Sequence, residues 1–212
     1  MPIFRESEQT RNIITLYFDD RSSLTMRVRD YEKHRLTEGD EVDLDDYIGK
    51  LSSVQLSDAY EAALSLLDYS ARTESEITKK LTQKGFLPPV IEAVIDRLKS
   101  AKLVNDRELA LRITESSGAK RMGAYALKRK LRARGIAEDD CDEALSRIPS
   151  EVQNENAVSE ARKLIRKYHS LRAREKYAKL SQALARRGFT WDSISNAIET
   201  LRNEEDDESF FD

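Results

Sequence analysis

Cysteine, histidine, proline and glycine are all scarce in this chain of 212 residues, and each scarcity closes off a class of protein. A single cysteine, Cys141, leaves no intrachain disulfide to form. The only histidines, His34 and His169, cannot complete a four-ligand Cys/His zinc centre with it. Seven glycines and four prolines are too few for an all-β protein rich in tight turns. The longest apolar run lies near Ile13–Phe18, far short of the roughly 20 residues of a membrane-spanning helix. The start of the chain carries no apolar stretch of signal-peptide length, so a cytoplasmic location is expected. Neither H-E-x-x-H nor G-x-S-x-G occurs. Gly118 and Gly123 have the spacing of a phosphate loop, but Ala124 and Tyr125 stand where Lys and Ser/Thr must reach phosphates and magnesium. No enzyme, no metal and no cofactor is expected.

Charge, by contrast, is plentiful. Charged residues make up 35% and apolar ones 39%, against typical shares of about 25% and 45–50%. That balance favours thin, well-solvated helical layers. The net charge of −3 hides a segregation: −4 over 1–56, +2 over 57–148, +5 over 149–202 and −6 over 203–212. The window 118–135 holds seven basic residues and no acidic one; 162–187 holds ten, with only Glu175 opposing them. The acidic end, 203–212, reads as disordered. A mildly acidic total does not exclude a polyanion partner, because local fields act at a surface.

Three segments align on one glycine: Leu81-Thr-Gln-Lys-Gly-Phe86, Leu131-Arg-Ala-Arg-Gly-Ile136 and Leu184-Ala-Arg-Arg-Gly-Phe189. Apolar residues match on both sides of it. Ile77, Leu127 and Leu180 precede it; Ile91, Cys141 and Ile194 follow, then Ile95, Leu145 and Ile198, then Leu98, Ile148 and Leu201. These spacings are helical, and a glycine between two such runs suits a helix C′ position with positive φ. A further helix precedes each pair, over 59–71, 106–116 and 157–169. Thr73 with Glu76 and Asn105 with Glu108 read as capping boxes, Pro88 suits a first helical turn, and Thr190 suits an N-cap. The expected fold is all-α: three tandem three-helix repeats, 57–103, 104–149 and 154–202, in an elongated curved array. Residues 1–56 form an N-terminal extension. In it, Ile13–Phe18 and 23–28 read as a β-hairpin and 43–53 as a short helix; the hairpin needs the following repeat to pack against.

These residues resemble a known family. Arg72-Thr-Glu-Ser-Glu-Ile77, Lys80-Leu81 and Lys84-Gly85-Phe86 look like the first repeat of RecX, the bacterial regulator of RecA recombinase. Asn105-Asp106-Arg-Glu-Leu109-Ala110 is similar to an N-D-x-x-aromatic-A step, with Leu109 in the aromatic's place. Arg121-Met-Gly123, Leu127 and Leu131-Arg-Ala-Arg134-Gly135-Ile136 look like the second repeat. The resemblance spans about residues 10–202, and the acidic end lies outside the family pattern. It implies a protein that lodges in the groove of the RecA–DNA filament, inhibits RecA's ATPase and strand exchange, and has some DNA affinity; the expected partners are the RecA filament and single-stranded DNA, with double-stranded DNA a further candidate. It implies no enzymatic activity and no membrane partner. No heptad seam suggests an obligate dimer, so a monomer is expected.

The candidate contacts lie in the two basic windows. On the helix near 121–134, Ala124, Leu127 and Leu131 cluster on one face; Arg121, Tyr125, Lys128 and Arg132 form a basic stripe beside it, with Arg129 adjoining. In the third repeat the candidates are Arg162, Lys163, Arg166, Lys167, Arg172 and Arg174, with Lys176 and Lys179 nearby. Cations around a stacking ring suit phosphates and acidic protein surfaces alike; the competing reading is a solvated face on which Tyr125 covers the core's edge. Tyr177 and Cys141 read as core, and Trp191 as a ring partly packed at a helix start. An alternative function is a helical nucleic-acid-binding protein that acts independently of RecA.

Overall fold

The structure, a computed structural model, describes residues 1–116 and 121–209, the last four as backbone only. It forms two compact units, Met1–Asn105 and Asp106–Asp212.

The first unit opens with an antiparallel sheet of three strands, β1 (Phe4–Thr10), β2 (Ile13–Phe18) and β3 (Ser23–Arg27), in that order. The expected hairpin is β2–β3. The additional strand β1 carries five charged or polar residues in the run Arg5–Gln9, hence no apolar alternation to mark it. Its pairing with β2 holds it, and the turn between them places Arg11 at φ +56°. Ile14, Leu16 and Phe18 on β2 share a buried face with Phe4 and Met26.

Helix α1 (Val28–Tyr31) leads to α2 (Leu44–Tyr69), which Asp43 caps through the N–H groups of Asp45 and Asp46. Two separate helices were expected here; they are one, because nothing between them breaks a helix. At the join, buried Gln55 donates to Asp30 at 2.8 Å and accepts from the Leu87 N–H at 2.9 Å. Asp30 is 1% exposed and also receives the Nε and Nη2 of Arg27 at 2.5 and 2.9 Å. The Arg27 guanidinium lies 4.2 Å from the Phe86 ring centre. This buried polar chain joins the sheet to α2, α3 (Glu74–Gln83) and α4 (Pro88–Ser100), and all of them share one apolar core.

The second unit holds α5 (Asp106–Glu115), α6 (Ala124–Ala133), α7 (Glu138–Ser146), α8 (Ser150–Ile165), a 3-10 turn (Arg166–Tyr168), α9 (Ala173–Arg186) and α10 (Trp191–Ser209). Each repeat glycine ends its helix in the same way. Gly85, Gly135 and Gly188 take φ of +82°, +83° and +80°. The next residue, Phe86, Ile136 or Phe189, donates its N–H back to Leu81, Leu131 or Leu184 and packs there. Thr73 and Glu76 form the expected capping box. The third repeat's first helix begins at Ser150, seven residues earlier than expected. The acidic segment expected to be disordered continues α10 as helix through residue 209, where Arg162 and Lys176 pair with Glu204 and Glu205; 210–212 lie outside the described residues.

Candidate functional site

The second unit carries both basic windows, and its second and third repeats meet at a backbone seam. α6 has no side-chain cap. Its orphan N–H end is satisfied instead by the carbonyl end of α9: Gly123 donates to Arg187 at 3.0 Å and Tyr125 to Gly188 at 3.1 Å. The positive end of one helix dipole thus meets the negative end of another. The approach is so close that a Cβ on Gly123 would stand 2.1 Å from the Phe189 nitrogen. It also turns α6: Ala126, rather than the expected Ala124, joins Leu127 and Leu131 in burial, because Ala126 lies against Gly188.

The predicted stripe divides accordingly. Lys128 reaches Glu138 at 2.7 Å and Asp142 at 2.6 Å, and Arg132 reaches Glu138 at 3.0 Å. Hydrogen bonds to Asp142 and Glu138 hold the Lys128 ammonium above its ordinary pKa. The charge of both residues is spent on α7, whose first turn is acidic as its dipole favours. Arg121 and Arg129 are exposed and have no carboxylate partner among the described residues, whereas Tyr125 is 65% exposed and covers no core edge. Gly118 and Lys120 lie outside the described residues.

The third repeat divides too. Arg162 pairs with Glu204, and Lys163 lies 3.7 Å from Glu160, which is buried and held by Arg187 at 2.9 Å. Lys176 and the Tyr177 hydroxyl bind Glu205 at 2.5 and 2.8 Å, and Lys179 binds Glu175 at 3.0 Å. Arg166, Lys167, Arg172 and Arg174 have no carboxylate partner among the described residues. The first two lie on the 3-10 turn, and Arg172 and Arg174 at the start of α9. A cation at the positive end of a helix is unfavourable by about 0.3–1 kcal/mol. Neither charge is favoured by the dipole of α9, whose first turn also carries Glu175, paired with Lys179.

Sequence reasoning missed Trp191, expected to be partly packed but 69% exposed. The alignment carried the signal. Three residues after the repeat glycine stand Pro88, Glu138 and Trp191, a helix-start position that is exposed in every repeat, while Phe189 takes the buried role. Tyr177 and Cys141 are buried as expected, and burial raises the Cys141 thiol pKa, helped by Glu138 and Asp142. Among the described residues no three His, Cys, Asp or Glu side chains gather as metal ligands, and no helix is long and apolar enough to cross a membrane. In the first unit a cleft of about 700 Å³ is lined by Arg27, Arg29, Asp58 and Phe86 among others; Arg29 pairs with Asp58 and Arg27 with Asp30 and Asp58.

Two of the repeats match family models. Residues 59–98 fit the family model for the first three-helix domain of RecX, and 151–198 that for the third. The regulatory protein RecX of Bacillus subtilis (strain 168) is 31% identical over 210 residues, covering 98% of this chain and 80% of that protein. The chain belongs to the RecX family. The regulatory protein RecX of Bacillus pumilus (strain SAFR-032) is 29% identical over 200 residues, covering 92% of this chain and 74% of that protein. A crystal structure of regulatory protein RecX superposes with a TM-score of 0.64 at 26% identity, covering 94% of this chain and 100% of the other. The crystal structure of RecX from Lactobacillus salivarius gives 0.65 at 30%, covering 71% and 98%. The RecX first-domain match falls on the C-terminal part of α2 with α3 and α4, and the third-domain match on α8, α9 and the first half of α10.

Proposed function

We propose that this protein regulates RecA by binding the RecA–DNA filament and inhibiting its ATPase and strand exchange, thereby modulating recombination and DNA repair. Membership of a family of regulatory proteins carries the regulatory part of this reading. The unpaired cations of the second unit support a filament-facing surface there. Arg121, Arg129, Arg166, Lys167, Arg172 and Arg174, with Tyr125 among them, make the contact. Lys128, Arg132, Arg162 and Lys163 contribute less, because each already faces a carboxylate. Monomeric protein acts on the filament, and no chemistry is performed.

The test is RecA's single-strand-dependent ATPase with this protein added from well below to well above the RecA concentration. Inhibition at concentrations too low to coat the DNA supports action on the filament. Inhibition only at DNA saturation moves the reading to a nucleic-acid-binding protein independent of RecA. Charge reversal at Arg166 and Arg172 together weakens inhibition without changing helicity; unchanged inhibition places the contact elsewhere.

A further inference from the structure

The seam between the second and third repeats leaves two aromatic rings in solvent, and the fold does not use them. Tyr125 is 65% and Trp191 69% exposed, and the apolar clusters of the two repeats close without either. Their backbones are held in fixed relation. The Tyr125 N–H donates to Gly188, three residues before Trp191, and a Cβ on Gly123 would strike the backbone of Gly188 and Phe189. Both residues are therefore anchored to one close-packed backbone seam, at the start of α6 and just after the turn between α9 and α10.

Cations lie close to both residues along the chain. Arg121 lies four residues before Tyr125 and Arg129 one helical turn after it; Arg186 lies two residues before Gly188. All three are exposed and have no carboxylate partner among the described residues. A carboxylate, Asp192, adjoins Trp191 in the first turn of α10, where the helix dipole offsets it. Exposed rings among unpaired guanidiniums suit unstacked bases joined by phosphates. An apolar protein surface would call for aliphatic side chains too. In the second unit the only other large exposed apolar residue, among those described, is Val152 at the start of α8.

We infer that Tyr125 and Trp191 form a base-stacking platform for single-stranded DNA, with Arg121, Arg129 and Arg186 on its phosphates. The inference rests on the reading of the second unit as ligand-facing and deepens it by assigning the seam to the DNA strand.

Trp191 is the only tryptophan, so its emission reports on this site alone. The full-length protein, without RecA, is titrated with an oligothymidylate of roughly 20 nucleotides, long enough for the about 4–16 nucleotides of a typical stacking site. Binding is followed by Trp191 emission and by anisotropy of a labelled strand. Quenching that tracks the anisotropy is expected. Tyr125→Ala and Trp191→Ala should each weaken binding by about 5- to 150-fold, Trp191→Phe much less, since stacking contributes about 1–3 kcal/mol per base. Arg121→Gln should make the slope of log affinity against log salt shallower by about 0.7. Thermal unfolding should not change, since the side chains are exposed.

Binding that leaves Trp191 emission unchanged and survives Trp191→Ala overturns the platform, as does absence of binding at about 50 mM salt, where phosphate contacts are strong. So does a Trp191→Ala variant that binds the strand normally yet loses its effect on RecA, which assigns the rings to a protein. The titration contains no RecA, so its failure leaves regulation to the ATPase assay, and a failure there leaves the platform standing.

Discussion

Gly123→Ala isolates the seam, because everything except the seam favours the substitution. Gly123 sits at φ −76°, ψ 167°, where alanine is at ease. Removing glycine's freedom in the unfolded chain would by itself stabilise by about 0.4–1 kcal/mol. The new Cβ, however, would lie 2.1 Å from the Phe189 nitrogen and 2.2 Å from the Gly188 carbonyl carbon and oxygen. Those are backbone atoms and cannot swing aside, so the seam must open by more than about 1 Å to reach ordinary contact. Opening breaks the hydrogen bonds of Gly123 and Tyr125, each contributing about 0.5–1.5 kcal/mol. Overpacking elsewhere adds about 1–3 kcal/mol. The net expectation is a loss of about 2–4 kcal/mol in urea unfolding followed by circular dichroism, with Trp191 emission shifting in the same transition. Gly49→Ala is the control: Gly49 lies inside α2 with nothing near its missing Cβ, so alanine should stabilise by about 0.5–1 kcal/mol. A change below about 0.5 kcal/mol for Gly123→Ala, or equal effects at both glycines, would refute the close-contact argument.

Other perturbations probe the rest of the fold. Arg27→Met removes the main cation from Asp30, which is 1% exposed, and should destabilise by about 3–5 kcal/mol in urea titration. Thr73→Ala removes the capping hydroxyl of α3 and should destabilise by about 1 kcal/mol in thermal unfolding. Glu204 has its pKa lowered by the Arg162 hydrogen bond. For Glu205, burial pushes upward, but the Lys176 and Tyr177 hydrogen bonds and the Lys176 charge win, so its pKa is lowered too. A lowered folded pKa stabilises above the unfolded value of about 4.3 and ceases to do so as pH falls through the folded one. The stability advantage of wild type over a Glu204→Gln, Glu205→Gln variant should therefore be full near neutral pH and vanish in acid, as melting curves across pH would show.

The helical repeat was legible because its markers are local. Leucine spacing, a basic-Gly-apolar step and a Thr-x-x-Glu cap act within one turn or two, and helix ends obey them wherever they sit. β1 was not legible: a polar strand is made by its neighbour, and Phe4–Thr10 pairs with β2 through backbone groups that no side-chain pattern records. The union of two expected helices into α2 is a different case: residues 54–58 carry no glycine or proline to end a helix, so continuity was locally readable, and only the burial of Gln55 against Asp30 and Leu87 needed the tertiary structure.

For the candidate site, the sequence by itself determined which residues are cations and that they crowd two windows. Only the tertiary structure decided which of those charges are spent. Lys128 and Arg132 face carboxylates of α7, and Arg162 one of α10, whereas Arg121, Arg129, Arg166, Lys167, Arg172 and Arg174 have none among the described residues. It likewise placed Tyr125 and Trp191, 66 residues apart in the chain, on one seam. Charge and helix propensity belong to a residue and its near neighbours. Pairing and exposure depend on which other helix arrives, and here two glycines let α6 and α9 meet backbone to backbone.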